Sequence, residues 1–138
     1  MDVPERFEQL IAFLASQLPA PVDQQTLADN SIQFTAGDPP AVVALLTHSS
    51  VVVSEFAGVW DTPFTFVPKP RRVGIVKWRR LPENALLAAV SALIKGAREA
   101  RLSAFQTCRF CGQRTAPEWL YEEGLCQSCA DQQSGRVH

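Results

Sequence analysis

Ala41-Val-Val-Ala-Leu-Leu-Thr47 and Val51-Val-Val-Ser-Glu-Phe56 flank the short polar link His48-Ser49-Ser50. Both runs are rich in β-branched and large apolar side chains, and the polar link lets the chain reverse, so the stretch predicts an antiparallel hairpin. Working outward, Ser31 to Thr35 sets Ile32 and Phe34 between polar neighbours, the alternation of a strand with one buried face. Gly37-Asp38-Pro39-Pro40 then marks a turn. Val73 to Trp78 predicts a further strand. Between the hairpin and that strand, Gly58 to Pro70 carries Trp60, Phe64 and Phe66 together with Pro63, Pro68 and Pro70. Proline has no N–H to give a sheet, so this segment reads as a loop or edge piece with buried aromatics.

Helices are expected on either side of the strands. Phe7, Leu10, Ile11, Leu14 and Leu18 recur at helical spacing, with Asp2 placed to cap the start and Pro19 to stop it, so a helix is predicted over about Pro4 to Leu18. Ala20 to Asn30 reads as a connection. From Pro82 to about Phe105, Leu86, Val90, Leu93, Ile94 and Ala97 form a second apolar face. Gly96 within it is explained by close packing on the sheet; Lys95, Arg98 and Arg101 recur at about one helical turn as a basic stripe, and Arg98 and Arg101 read rather as local ion pairs or a C-terminal cap. Two helices with one apolar face each, and a meander with one face to cover, are satisfied when both helices lie on the same side of the sheet. The fold class expected is α+β, a two-layer domain over residues 1–105 followed by a small module over 106–138.

That module holds every cysteine of the 138-residue chain. Cys108-Arg-Phe-Cys111 and Cys126-Gln-Ser-Cys129 are two C-x-x-C pairs separated by the fourteen residues from Gly112 to Leu125. The spacing brings four sulfurs to one tetrahedral centre, which points to a structural Zn²⁺ held by four thiolates; an iron centre or a dithiol redox pair is the weaker alternative. Four protein ligands leave no open position for substrate. Arg109, Arg114 and nearby backbone N–H groups are expected to offset the excess thiolate charge.

Cys108-x-x-Cys111-Gly112, Thr115-x-Pro117-x-Trp119 and Leu125-Cys126-x-x-Cys129-Ala130 resemble the GATA-type zinc finger and, more broadly, the treble-clef group. The resemblance covers residues 108 to about 134. It implies a knuckle at the first pair, a hairpin with Pro117 and Trp119, and a short helix running through Ala130 to Ser134. The chain departs from the GATA-type pattern after the tryptophan, where Leu120, Tyr121, Glu122 and Glu123 replace basic residues and would repel phosphate.

The net charge of −1 conceals segregation: residues 1–68 sum to −7, residues 69–114 to +9 and residues 115–138 to −3. Lys69, Arg71, Arg72, Lys77, Arg79 and Arg80, with no acid from Thr62 to Pro82, are the nucleic-acid candidates, with Trp78, Phe64 and Phe66 as stacking surface; Trp78 reads better as core. His48 and His138 offer no acid–base pair, and no phosphate loop or nucleophile elbow is present, so no enzyme is expected. The longest apolar runs, Ala41–Leu46 and Ala85–Val90, are far short of the roughly 20 residues a bilayer span requires. With no signal-like start, a cytoplasmic protein with reduced thiols is expected. The function expected is binding, first of a protein partner through Trp119, Leu120 and Tyr121, second of RNA or DNA through the basic segment. The sequence does not fix the oligomeric state.

Overall fold

The structure, a computed structural model, describes residues 3–135. Asp2, the expected cap, and His138 lie outside them. Helix α1 (Val3–Gln17) leads through β1 (Val22–Thr26), β2 (Ile32–Ala36), β3 (Val42–Leu46) and β4 (Val51–Glu55). Then come β5 (Gly58–Thr62), β6 (Thr65–Pro68), β7 (Arg71–Val76) and the long helix α2 (Glu83–Ser103). Strands β1-β2-β3-β4-β7 form one five-stranded antiparallel sheet in that order.

The alternation read from the sequence sets the register. Phe34, Ala44 and Val53 pair across β2, β3 and β4, and Ile32, Leu46 and Val51 form the next row on the same face. All six are buried in one core with Leu10 and Leu14 of α1 and Leu86, Val90, Ile94 and Ala97 of α2. One sheet face therefore carries both helices, as two apolar helix faces demand. Each fully buried Leu, Val or Phe contributes about 1.5–3 kcal/mol by leaving water. Helix α2 crosses β7 closely enough that a Cβ on Gly74 would sit 2.6 Å from Leu93, which accounts for that glycine.

Two segments differ from the reading of the sequence. Ala20 to Asn30, taken as a connection, contains β1, which pairs with β2 from Val22 opposite Ala36 to Thr26 opposite Ile32. Apart from half-buried Val22 its side chains are exposed, so backbone pairing alone makes it a strand and no apolar pattern announces it. Polar edge strands of this kind also resist edge-to-edge aggregation.

Gly58 to Pro70 is the second. It is a hairpin, β5 against β6, and the Lys69 N–H donates to the Ala57 carbonyl at 2.7 Å where the ribbon leaves the main sheet. The prolines fall at the tip, at the end of β6 and between β6 and β7, where no ladder bond is lost. None of its aromatics is fully buried, contrary to the expectation. Phe66 stacks on Phe56 and meets the edge of Trp60, but Phe64 at the tip is 93% exposed.

Trp78 lies just past β7 in a single 3-10 turn, Trp78–Arg80, and is fully buried with its Nε1–H donating to the Thr47 carbonyl at 2.8 Å. The strand thus runs two residues earlier than the expected Val73 to Trp78, and Lys77 and Arg79 lie beyond its end. His48, in the β3–β4 turn, stacks on Phe7 of α1. Among the described residues no helix is long and apolar enough to cross a membrane.

Candidate metal centre

Short strands β8 (Gln106–Thr107) and β9 (Arg114–Thr115) pair across a tight knuckle that carries the first cysteine pair. The Cys108 N–H donates to Gln113 O and the Gly112 N–H to Cys108 O, both at 2.9 Å. Gly112 takes φ +75°, a left-handed conformation that a side chain would strain. A 3-10 turn (Pro117–Trp119) leads into the hairpin β10 (Leu120–Glu122) and β11 (Leu125–Cys126), and α3 (Gln127–Gly135) follows Cys126 directly. Cys126 and Cys129 therefore sit at a strand end and in the first helical turn. The Arg109 N–H donates to Gly124 O at 2.8 Å and the Gly124 N–H to Gln106 Oε1 at 2.7 Å, tying knuckle to hairpin.

This arrangement brings together the sulfurs of Cys108, Cys111, Cys126 and Cys129, all within 4.8 Å of one another, with Cys111 and Cys126 Sγ 3.8 Å apart. The cluster could hold a metal ion. Backbone N–H groups, first that of Cys126 and then that of Cys111, lower the Cys108 thiol to about 6. Hydrogen bonding to Cys126, then burial, pushes Cys129 up to about 12.

The arginines expected to offset the thiolates point elsewhere. Arg109 donates to Glu122 Oε1 at 2.8 Å and to Glu123 O at 3.1 Å, and Arg114 donates to Leu102 O at the end of α2. Backbone N–H groups approach the sulfurs instead, with the Cys129 N–H directed at Cys126 Sγ at 3.5 Å.

Arg101 is the residue whose importance the sequence reading missed. It is 2% exposed, lies between the rings of Phe56 and Phe105, and donates from Nε to Pro40 O at 2.9 Å. Its Nη1 donates to Glu118 Oε2 at 2.9 Å while Nη2 pairs with Glu118 Oε1. It is neither a helix cap nor part of a solvated stripe. The signal was present, because Leu86, Val90, Ile94, Ala97 and Arg101 all follow one helical stripe. A buried fork–fork pair thus locks the module onto the body.

The interaction residues are placed unevenly. Tyr121 is 69% exposed and Trp119 49%, whereas Leu120 is half-buried and bridges to Cys126. Trp60, read as buried, is partly exposed, meets Trp119 edge-on at 5.6 Å and donates its Nε1–H to Glu118 O. The basic residues do not form one cluster. Lys69, Arg71 and Arg72 stand at the start of β7 and Lys77, Arg79 and Arg80 beyond its end, all exposed. Arg71 is paired with Glu55 at 2.9 Å, and Arg79 donates to the His48 carbonyl while lying over buried Trp78.

No protein-family model, no curated protein and no solved structure matches the chain.

Proposed function

We propose that this is a non-enzymatic protein whose C-terminal module is folded around one structural Zn²⁺ and presents an aromatic surface to a protein partner. The observation carrying the reading is the pairing of the four-cysteine cluster with adjacent exposed Trp119 and Tyr121. Four sulfurs at about 2.3 Å from zinc stand roughly 3.8 Å apart along a tetrahedral edge, and the Cys111–Cys126 separation is 3.8 Å. The order knuckle, hairpin, helix supports the likeness to treble-clef modules. With all four positions filled by protein, the metal would have no place for substrate, which supports a scaffold role.

Trp60 enlarges the aromatic surface beyond Trp119 and Tyr121. Rigid aromatic side chains beside a fixed knuckle are effective interface anchors, since little side-chain freedom is lost on contact. The nucleic-acid reading is weakened by the division of the basic residues and by burial of Trp78, the stacking candidate nearest to them.

The test is quantitative capture from native extract by the wild type and by a Trp119→Ala/Tyr121→Ala variant, with zinc content measured on both. A protein complex lost only in the variant, at unchanged zinc, is expected. Tight, salt-sensitive RNA or DNA binding that survives both substitutions would reverse the reading.

A further inference from the structure

We propose that the free edge of β7 is a second docking site, one that takes an acidic, extended peptide segment of another protein as an added strand. In the five-stranded sheet β7 is terminal and, among the described residues, pairs only with β4, so its outer edge has backbone donors and acceptors without a sheet neighbour there. On the open sheet face, Gln33, Leu45, Val52 and Ile75 form one cross-strand row, and that row stops at Ile75. Ile75 is 40% exposed. A strand laid along the edge with an apolar residue beside Ile75 would continue the row.

Charge selects the occupant. The two basic groups bracket the strand, and at about 3.3 Å per residue they stand roughly 15–20 Å apart, the length of a short extended peptide. Among the described residues only Arg71 of the six has a carboxylate partner. A segment with acids at both ends and apolar residues between them meets both groups. The same charges oppose a second copy, because β7 against β7 would set base against base. A single-stranded nucleic acid would need a stacking platform; Trp78, within the basic segment, is fully buried, and the exposed Phe64 belongs to the tip of the β5–β6 hairpin and not to this strand. Strand addition supplies affinity through main-chain bonds that need no such platform.

The probe is a labelled synthetic peptide of about eight residues, with paired acids at each end and alternating valine and threonine between, titrated into the full zinc-loaded chain. Binding is expected to weaken about tenfold or more in Arg72→Glu/Lys77→Glu, with Gly74 to Val76 amides gaining hydrogen-exchange protection when wild type is loaded. A peptide of equal charge with prolines at alternate central positions is expected to lose at least about tenfold, since it lacks the strand's donors. Trp119→Ala/Tyr121→Ala is expected to bind the peptide as wild type does, which separates this site from the aromatic surface. Equal binding of the proline peptide, or no binding of the first peptide, overturns the proposal. So does tighter binding of oligouridine lost in the same variant, or a dimer in sedimentation that Ile75→Lys abolishes.

Discussion

Among the described residues, eighteen buried side chains form the core of the α+β body, whereas the module's own cluster has five, three of them cysteines. The body can derive its stability from apolar burial spread over two helices and a sheet. The module cannot, since among the described residues Leu125, Ala130 and, outside that cluster, Ala116 are its buried hydrocarbon side chains beyond the cysteines. Short segments with so little to bury fold on a metal ion or on a neighbour, and this one has provision for both. Its sulfurs converge on one point, and Glu118 is drawn into the body by Arg101.

The contrast breaks most severely at the metal. Cys126→Ser is expected to reduce zinc from one per chain to none and to abolish hydrogen-exchange protection across β10, β11 and α3, because binding of a structural zinc is worth about 10–16 kcal/mol. Metal analysis alongside exchange checks it. Stoichiometric iron, or a module still protected after the substitution, would show that zinc is not what folds it.

The joint comes next. Glu118→Ala is expected to cost about 3–5 kcal/mol in denaturant unfolding, since it leaves the Arg101 guanidinium buried without its counter-charge. Arg101→Met combined with Glu118→Leu is expected to recover most of that loss. If the single substitution is silent, body and module are independent, and the division near residue 105 is sharper than the contacts suggest.

A loss of similar or smaller size is expected in the body. Phe34→Ala, at the centre of the inner sheet face, should cost about 3–5 kcal/mol while zinc content stays unchanged. Zinc lost together with the core would make the two regions one cooperative unit. At the small end, Tyr121→Ala should change stability by no more than about 0.5 kcal/mol, because the ring is mostly in solvent. A larger effect would place Tyr121 in the framework of the module and not on its proposed contact surface.

Legibility followed the physical origin of each feature. Strands β2 to β4 were readable because one face is buried and the side chains alternate with period two. Strand β1 was not, because its pairing is carried by main-chain groups that every sequence shares. The hairpin β5–β6 was hidden by its prolines, which exclude a central strand but are compatible with a two-stranded ribbon. The four cysteines were readable as a set because their roles depend on spacing along the chain. The aromatic surface was only half so: Trp119 and Tyr121 were legible from their position beside the cysteines, whereas Trp60 reaches them from 58 residues away through its bond to Glu118.

Taken by itself, the sequence determined the α+β class, the buried stripe of α2 and the convergence of Cys108, Cys111, Cys126 and Cys129, since each rests on a local period or spacing. Tertiary structure alone decided the partners of charged groups. Arg101 occupies the same stripe as Ala97 and Ile94, yet only the folded chain supplies Glu118, Pro40, Phe56 and Phe105 around it. It likewise divided the basic segment, since the direction and length of β7 set which bases stand together. Ion pairs and exposed faces arise from segments distant in sequence, and the local pattern carries no record of which segment will arrive.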